Sequence, residues 1–234
     1  MFFPAVGFGY LPSKKEYKVV KLCYDDRVSR NLEKRITDTK ILTISTHTDS
    51  LCRAFSSWRT LKEKCPYDVA VAAAETSVFV NGVIHWKIQP WNPWDDETIV
   101  AFDLEEEKFS ILPPQTGAAK NCNTFHLAEI RGNLWLAEHT HKFSNIDLWV
   151  FNKDLQNPSW KKEFMIDCTT IRDDYSLVAS YLLHPLDFQN EEGILFRLDG
   201  VGLVLYNVKT KTFTLLKEER GRFMFCYYID GFLS

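Results

Sequence analysis

The feature that most constrains this chain is an aromatic anchor that returns about every 50 residues. Trp58 in SSWRTL, Phe109 in EKFSIL, Trp160 in PSWKKEF and Phe213 in KTFTLL are separated by 51, 51 and 53 residues. The run before the anchor also recurs, as IVAFDLEEEKF, DLWVFNKDLQNPSW and LVLYNVKTKTF. Each places an aromatic before Asp or Asn and then a polar turn, so Phe102, Phe151 and Tyr206 hold equivalent positions. A glycine turn opens the unit as Asn81-Gly82, again 50 residues later as Arg131-Gly132, and more loosely as Glu192-Gly193. Self-similarity at this period marks a unit that cannot bury its apolar faces alone and needs its neighbours to do so.

One complete copy of the unit runs from Val78 to Pro114. Val78 to Val80 and Val83 to Ile88 are β-branched and aromatic runs around Asn81-Gly82, the dipeptide that tolerates positive φ in a two-residue hairpin. Ile99 to Leu104 follows, then an acidic turn over Glu105 to Glu107, then Phe109 to Leu112 until Pro113-Pro114 stops the strand. Four short strands per repeat describe a kelch-like β-propeller blade. The whole chain, residues 1–234, thus reads as a single all-β domain of roughly four blades. The bland alternative is an unrepeated sandwich, against which the matched anchor spacings count. Most propellers of this period have more blades, so the ring is expected to be incomplete, with exposed blade edges that promote self-association.

The remaining segments are read from local pattern. Gly7-Phe8-Gly9-Tyr10 reads as a turn ahead of a strand from Tyr17 to Tyr24, and the charged stretch Asp25 to Lys40 as a solvated loop before Ile41 to Ile44. Pro66 to Glu75 is taken as strand or connecting loop. Further strands are expected at Phe125 to Ile130, Leu134 to Ala137, Ile146 to Phe151, Tyr181 to Leu183, Ile194 to Leu198, Leu203 to Tyr206 and Phe213 to Leu216. Asp167 to Tyr175 reads as an acidic loop, and Met224 to Leu233 as a final packed strand.

Composition excludes several classes of partner. The net charge of −3 offers no positive field for nucleic acid or for an anionic membrane. No apolar run reaches the roughly 18 residues of a membrane helix, and MFFPAVGFGYLP lacks the basic start of a secretory signal. Six scattered cysteines without a Cys-x-x-Cys pair read as reduced, buried thiols, which points to the cytoplasm or nucleus.

Among chemistry-bearing residues, His139 and His141 would share one strand face, but without a third ligand they read as a surface or turn pair and not as a metal site. His85, between Ile84 and Trp86, reads as a packing or hydrogen-bonding residue; His47, His126 and His184 have no companion motif. The acidic runs at Asp95 to Glu97, Glu105 to Glu107, Asp173-Asp174 and Glu191-Glu192 fall in turns, where solvation explains them. No nucleophile elbow, phosphate loop or dinucleotide fingerprint occurs, so neither catalytic residues nor a cofactor are expected. The candidate partner-binding residues are Trp91, Trp94, Asp95 and Asp96, on a long loop from Gln89 to Glu97 at one rim of the propeller, where the tryptophans stand beside two prolines and three acids.

The motif series resembles the F-box associated domain of plant F-box proteins, which include the S-locus F-box relatives. It is carried by Gly7-Phe8-Gly9-Tyr10 with Tyr17-Lys18-Val19-Val20, Ser57-Trp58-Arg59, Phe79-Val80-Asn81-Gly82 with His85-Trp86, Ile99 to Leu104 with Glu107 and Phe109, Leu148-Trp149-Val150, Ser159-Trp160-Lys161 and Leu205-Tyr206. The resemblance implies a non-catalytic substrate-recognition domain, with a protein substrate, behind an F-box that docks the adaptor subunit of a cullin-based ubiquitin ligase. No F-box precedes Gly7, so adaptor binding is expected only when one is supplied upstream. The alternative from architecture alone is a kelch-type propeller enzyme or a carbohydrate-binding module.

Overall fold

A computed structural model describes residues 5–24, 36–45, 57–63, 65, 77–88, 98–112, 124–139, 144–153, 157–174, 183–189 and 192–218. They form sixteen strands and one short helix. The strands are β1 (Ala5–Leu11), β2 (Glu16–Tyr24), β3 (Ile36–Ser45), β4 (Arg59–Thr60), β5 (Val78–Val80), β6 (Val83–Ile88), β7 (Thr98–Asp103), β8 (Lys108–Ile111), β9 (Thr124–Ile130), β10 (Asn133–His139), β11 (Asn145–Asn152), β12 (Ser159–Asp167), β13 (Leu183–Gln189), β14 (Gly193–Leu198), β15 (Gly202–Asn207) and β16 (Thr212–Glu218), with α1 at Thr169–Asp174. Consecutive strands pair into four four-stranded meanders, β1 to β4, β5 to β8, β9 to β12 and β13 to β16. This is the all-β, propeller-type repeat that the anchor spacing predicts.

The anchors mark equivalent places. Phe109, Trp160 and Phe213 are each the second residue of the fourth strand of their sheet, and Trp58 directly precedes β4. Each of the first three packs at a tilt against the equivalent aromatic of the preceding strand. Phe102–Phe109, Phe151–Trp160 and Tyr206–Phe213 have ring centroids 4.6, 5.0 and 4.9 Å apart, tilted by 52°, 55° and 49°. Cross-strand aromatic pairs of this kind stabilise sheets beyond the area they bury.

The Asp or Asn that follows the aromatic has its own role. Asp103 Oδ1 accepts the backbone N–H groups of Glu105 and Glu106, and Asn207 Oδ1 accepts those of Lys209 and Thr210. A short side-chain acceptor thereby folds the turn back on itself. Each turn ends on a residue in the left-handed region, Glu107 (φ 57°) and Lys211 (φ 58°).

The chain divides into two compact units. One comprises residues 1–122, 132–134 and 150–161, the other 123–131, 135–149 and 162–234. In the first, the sheets β1 to β4 and β5 to β8 share a core that includes Leu11, Val20, Leu22, Ile41, Ile84, Trp86, Val100, Phe102 and Leu104.

Four local readings differ from the structure. Gly7-Phe8-Gly9-Tyr10 is strand β1, not a turn. A Cβ on Gly7 would lie 2.5 Å from Ile84 and 2.7 Å from Trp86, and one on Gly9 would collide with the Phe79 ring and lie 2.7 Å from Leu104. The glycines therefore serve close approach of β1 to its neighbouring sheet. Strand β3 already begins at Ile36 inside the supposed loop, because pairing with β2 extends to Tyr24↔Ile36 across a bulge. The loop expected at Asp167 to Tyr175 contains α1, where Asp167 Oδ1 accepts both the N–H and the hydroxyl of Thr169. Strand β13 continues through Pro185 to Gln189, since it is an edge strand and a bulge between Pro185 and Asp187 absorbs the missing donor. The expected segments at Pro66 to Glu75 and Met224 to Leu233 lie outside the described residues.

Candidate functional site

The four residues singled out from sequence, Trp91, Trp94, Asp95 and Asp96, lie outside the described residues. Their attachment is well defined. Ile88 at the end of β6 pairs with Thr98 at the start of β7, so residues 89–97 leave and re-enter one end of a two-strand ladder. The ladder is rooted in the core by Ile84, Trp86, Ile99 and Val100, each under a twentieth exposed. His85 on β6 is buried, with Nδ1 3.3 Å from the Val78 carbonyl. Burial lowers its pKa to about 4, against the opposing backbone bond and with Lys153 adding to the fall, so at neutral pH it is an uncharged structural residue, as its strand context predicts.

Beside this ladder, the turn after β7 is tied to the first sheet. Buried Lys18 on β2 donates to the Leu104 carbonyl at 2.7 Å and to Glu107 Oε1 at 2.8 Å, and Arg59 also pairs with Glu107. Burial alone would raise the Glu107 carboxyl. The hydrogen bonds from Arg59 and Lys18 outweigh that and hold it below the usual carboxylate range. Solvation in a polar turn thus does not account for this member of the acidic run.

In the second unit, three histidines that share no sequence motif converge. His126 packs edge-on against His184 (4.3 Å between ring centroids) and against His139 (5.9 Å). His184 Nε2 lies 3.1 Å from Asp199 Oδ2, and Arg197 Nε donates to Asp199 Oδ1 at 3.2 Å. His139 is therefore no surface residue. It is buried, 3.1 Å from the Leu183 carbonyl, and burial lowers its pKa to about 4. Its supposed companion, His141, lies outside the described residues. No sequence spacing links β9, β10 and β13; only their packing assembles this group.

Among the described residues, no three His, Cys, Asp or Glu side chains are arranged to hold a metal ion. The Cys168 thiol is buried and pushed up to about 12 by that burial, with Asp167 adding to the rise. Such a thiol is inert as a nucleophile at neutral pH. Among the described residues, no helix is long and apolar enough to cross a membrane.

Comparison with known proteins gives the family. Residues 4–223 match the F-box associated beta propeller domain. In Arabidopsis thaliana, F-box protein At3g07870 is 30% identical over 68% of this chain and 39% of its own length. F-box/kelch-repeat protein At3g23880 is 27% identical over 88% of this chain and 49% of its own length, and F-box protein At4g11590 is 25% identical over 90% and 52%. The chain thus spans about half or less of the length of these relatives. A solved structural genomics protein of unknown function from Bacteroides thetaiotaomicron aligns with 92% of this chain and 60% of its own, at 12% identity and a TM-score of 0.35, too distant to bear on function.

Proposed function

Since the chain belongs to the F-box associated beta propeller family, we propose that it is the substrate-recognition region of an F-box-type subunit of a cullin-based ubiquitin ligase. In this reading it binds a protein substrate and performs no chemistry itself. The observation that carries it is the family match across residues 4–223. The repeated meanders supply rigid strands, and the loop of residues 89–97, with Trp91, Trp94, Asp95 and Asp96, supplies two aromatic anchors beside anionic groups. Aromatic anchors of this type dominate protein interfaces. Adaptor docking belongs to an F-box and requires one in front of this domain.

The test uses the chain with and without an F-box fused ahead of Met1. The fused form should co-purify with the adaptor and shorten the half-life of the proteins captured by the propeller. Trp91→Ala/Trp94→Ala in the same fusion should retain the adaptor and lose the captured proteins. Adaptor binding by the bare chain at the strength of the fusion would sink the division of labour, and capture unaffected by the double substitution would sink the loop assignment.

A further inference from the structure

In the second unit, β9 of the third sheet lies along β13 of the fourth. Three imidazoles meet in this seam, His126 from β9, His139 from β10 and His184 from β13. Their acceptors fix where the hydrogens sit. The Leu183 carbonyl and the Asp199 carboxylate can only accept, so His139 and His184 each carry their hydrogen on Nε2. Any further proton on either ring goes to Nδ1 and makes an imidazolium inside the seam.

The charges that face the seam are already matched. In the fourth sheet Asp199 is held by Arg197 at 3.2 Å, and near the end of β13 Asp187 is held by Arg131 at 3.6 Å. The third sheet adds Asp147, bonded to Lys162 at 2.6 Å. Lys162 shares its side of β12 with Phe164, which stacks on Trp135, and Trp135 shares its side of β10 with His139. The Asp147–Lys162 pair therefore lies on the face that carries the histidines. Glu129 and Glu138 stand an odd number of residues from His126 and His139 and alternate to the opposite face. Among the described residues, each anion on this face thus holds a cation, and a charge on the buried His139 ring finds them all engaged.

His85, the other buried imidazole, is placed differently. Its acceptor, the Val78 carbonyl, lies on the paired strand of the same sheet, so freeing it means breaking a β ladder. His139 instead donates at 3.1 Å to Leu183 in the neighbouring sheet. Freeing it needs only that two sheets part.

We propose that the histidine seam is a proton-sensitive clasp that mild acid opens, parting β13 from β9 and β10 while each sheet stays paired within itself. Opening lets His139 take up a proton in its ordinary range near 6.5, whereas burial in the closed seam holds its pKa at about 4. The opening equilibrium is therefore flat above pH 6.5. It rises below that, by up to about tenfold per pH unit for this ring, until the closed form is itself protonated.

The test is fluorine NMR with saturation transfer on the full 234-residue chain labelled with 5-fluorotryptophan. Trp135 packs across the seam on Phe188, with ring centroids 4.9 Å apart, and Trp86 lies in the core of the first unit. Trp135→Phe and Trp86→Phe assign the two signals. A minor, solvent-exposed state of Trp135 is expected, its population growing about fivefold between pH 6.5 and 5.5, while Trp86 shows no such state. His139→Gln, which keeps a donor for Leu183, and His139→Phe, which keeps a ring, should each remove the pH response, and either one that folds suffices. No exposed state of Trp135 between pH 7.5 and 4.5 overturns the proposal. So does an exposed state that Trp86 shares at the same pH, since the chain then unfolds as a whole, and so does a pH response that persists without His139.

Discussion

Lys18 and Glu107, 89 residues apart in sequence, meet with Nζ 2.8 Å from Oε1, and the lysine side chain is only 5% exposed. This contact joins the first two sheets at the turn after β7. Removing one partner of a buried pair strands the other charge, whereas removing both leaves only a packing change. Glu107→Gln should cost about 3 kcal/mol in urea unfolding. Lys18→Met/Glu107→Gln should cost clearly less than the two single substitutions added together. Arg59 is 47% exposed, and Arg59→Ala should lie within about 1 kcal/mol of the parent. Additive single and double costs would show that the ion pair carries no coupling.

Two glycines at strand and turn should fail for different reasons. Gly9→Ala introduces a methyl group within reach of Phe79 and Leu104 and should destabilise by about 1–3 kcal/mol. A second substitution, Phe79→Leu, should return part of that loss by making room. Gly132 has nothing within 4 Å of an added Cβ but sits at φ +76°. Gly132→Ala should therefore cost about 1–2 kcal/mol from the backbone alone, with Gly132→Asn milder and no neighbouring substitution able to rescue either. Equal rescue at both sites would refute the distinction.

The turn acceptors provide a local test of the repeat. Asp103→Ala and Asn207→Ala each remove an oxygen that accepts two backbone N–H groups, and each should cost about 1 kcal/mol or slightly more. Asp103→Asn keeps the acceptor and should be nearly neutral. If Asp103→Asn proved as damaging as Asp103→Ala, charge and not turn geometry would be the reason for an acid at this position.

These positions also show what a linear reading captures. The β5–β8 meander was legible throughout, because Asn81-Gly82 and Asp103 act within a few residues of themselves. The aromatic pairs were legible as spacing, since Phe102 and Phe109 are joined by one short turn. Gly7 and Gly9 resembled a turn because a glycine signals freedom in any context, and only the placement of Ile84 and Phe79 identifies it as room for a neighbour. Glu107 looked solvated because its partners Lys18 and Arg59 come from another repeat. The same holds for His126, His139 and His184, which belong to three different strands and carry no shared spacing. Trp58 was located correctly as an anchor, yet it is 46% exposed, because burial depends on what covers a sheet and not on the sheet's own sequence. The loop with Trp91, Trp94, Asp95 and Asp96 lies outside the described residues.

The two buried histidines predict how stability depends on pH. His85 and His139 each have a folded-state pKa of about 4, below the ordinary 6.5, chiefly because burial disfavours the imidazolium. Around His139 stand His126 and His184 with Asp199 and Arg197, and near His85 the charge that matters is Lys153. Protonation is thus easier in the unfolded chain. The stabilising effect is complete above pH 6.5 and is lost as pH falls from there toward 4, by of order 3 kcal/mol per histidine at the low end. Asp199 and Glu107 are held below their ordinary values by their cationic partners, against the effect of burial, so their contribution persists until the carboxylate range is reached and is lost only below it. Unfolding free energies from urea titrations between pH 7.5 and 4.5 should therefore fall with a slope approaching about 1.4 kcal/mol per pH unit for each histidine. His139→Gln should flatten that slope by one histidine's share, whatever its effect on stability at pH 7.5. A stability constant between pH 6.5 and 4.5, or a slope unchanged in His139→Gln, would mean that these imidazoles take up protons in the folded protein as readily as in the unfolded chain.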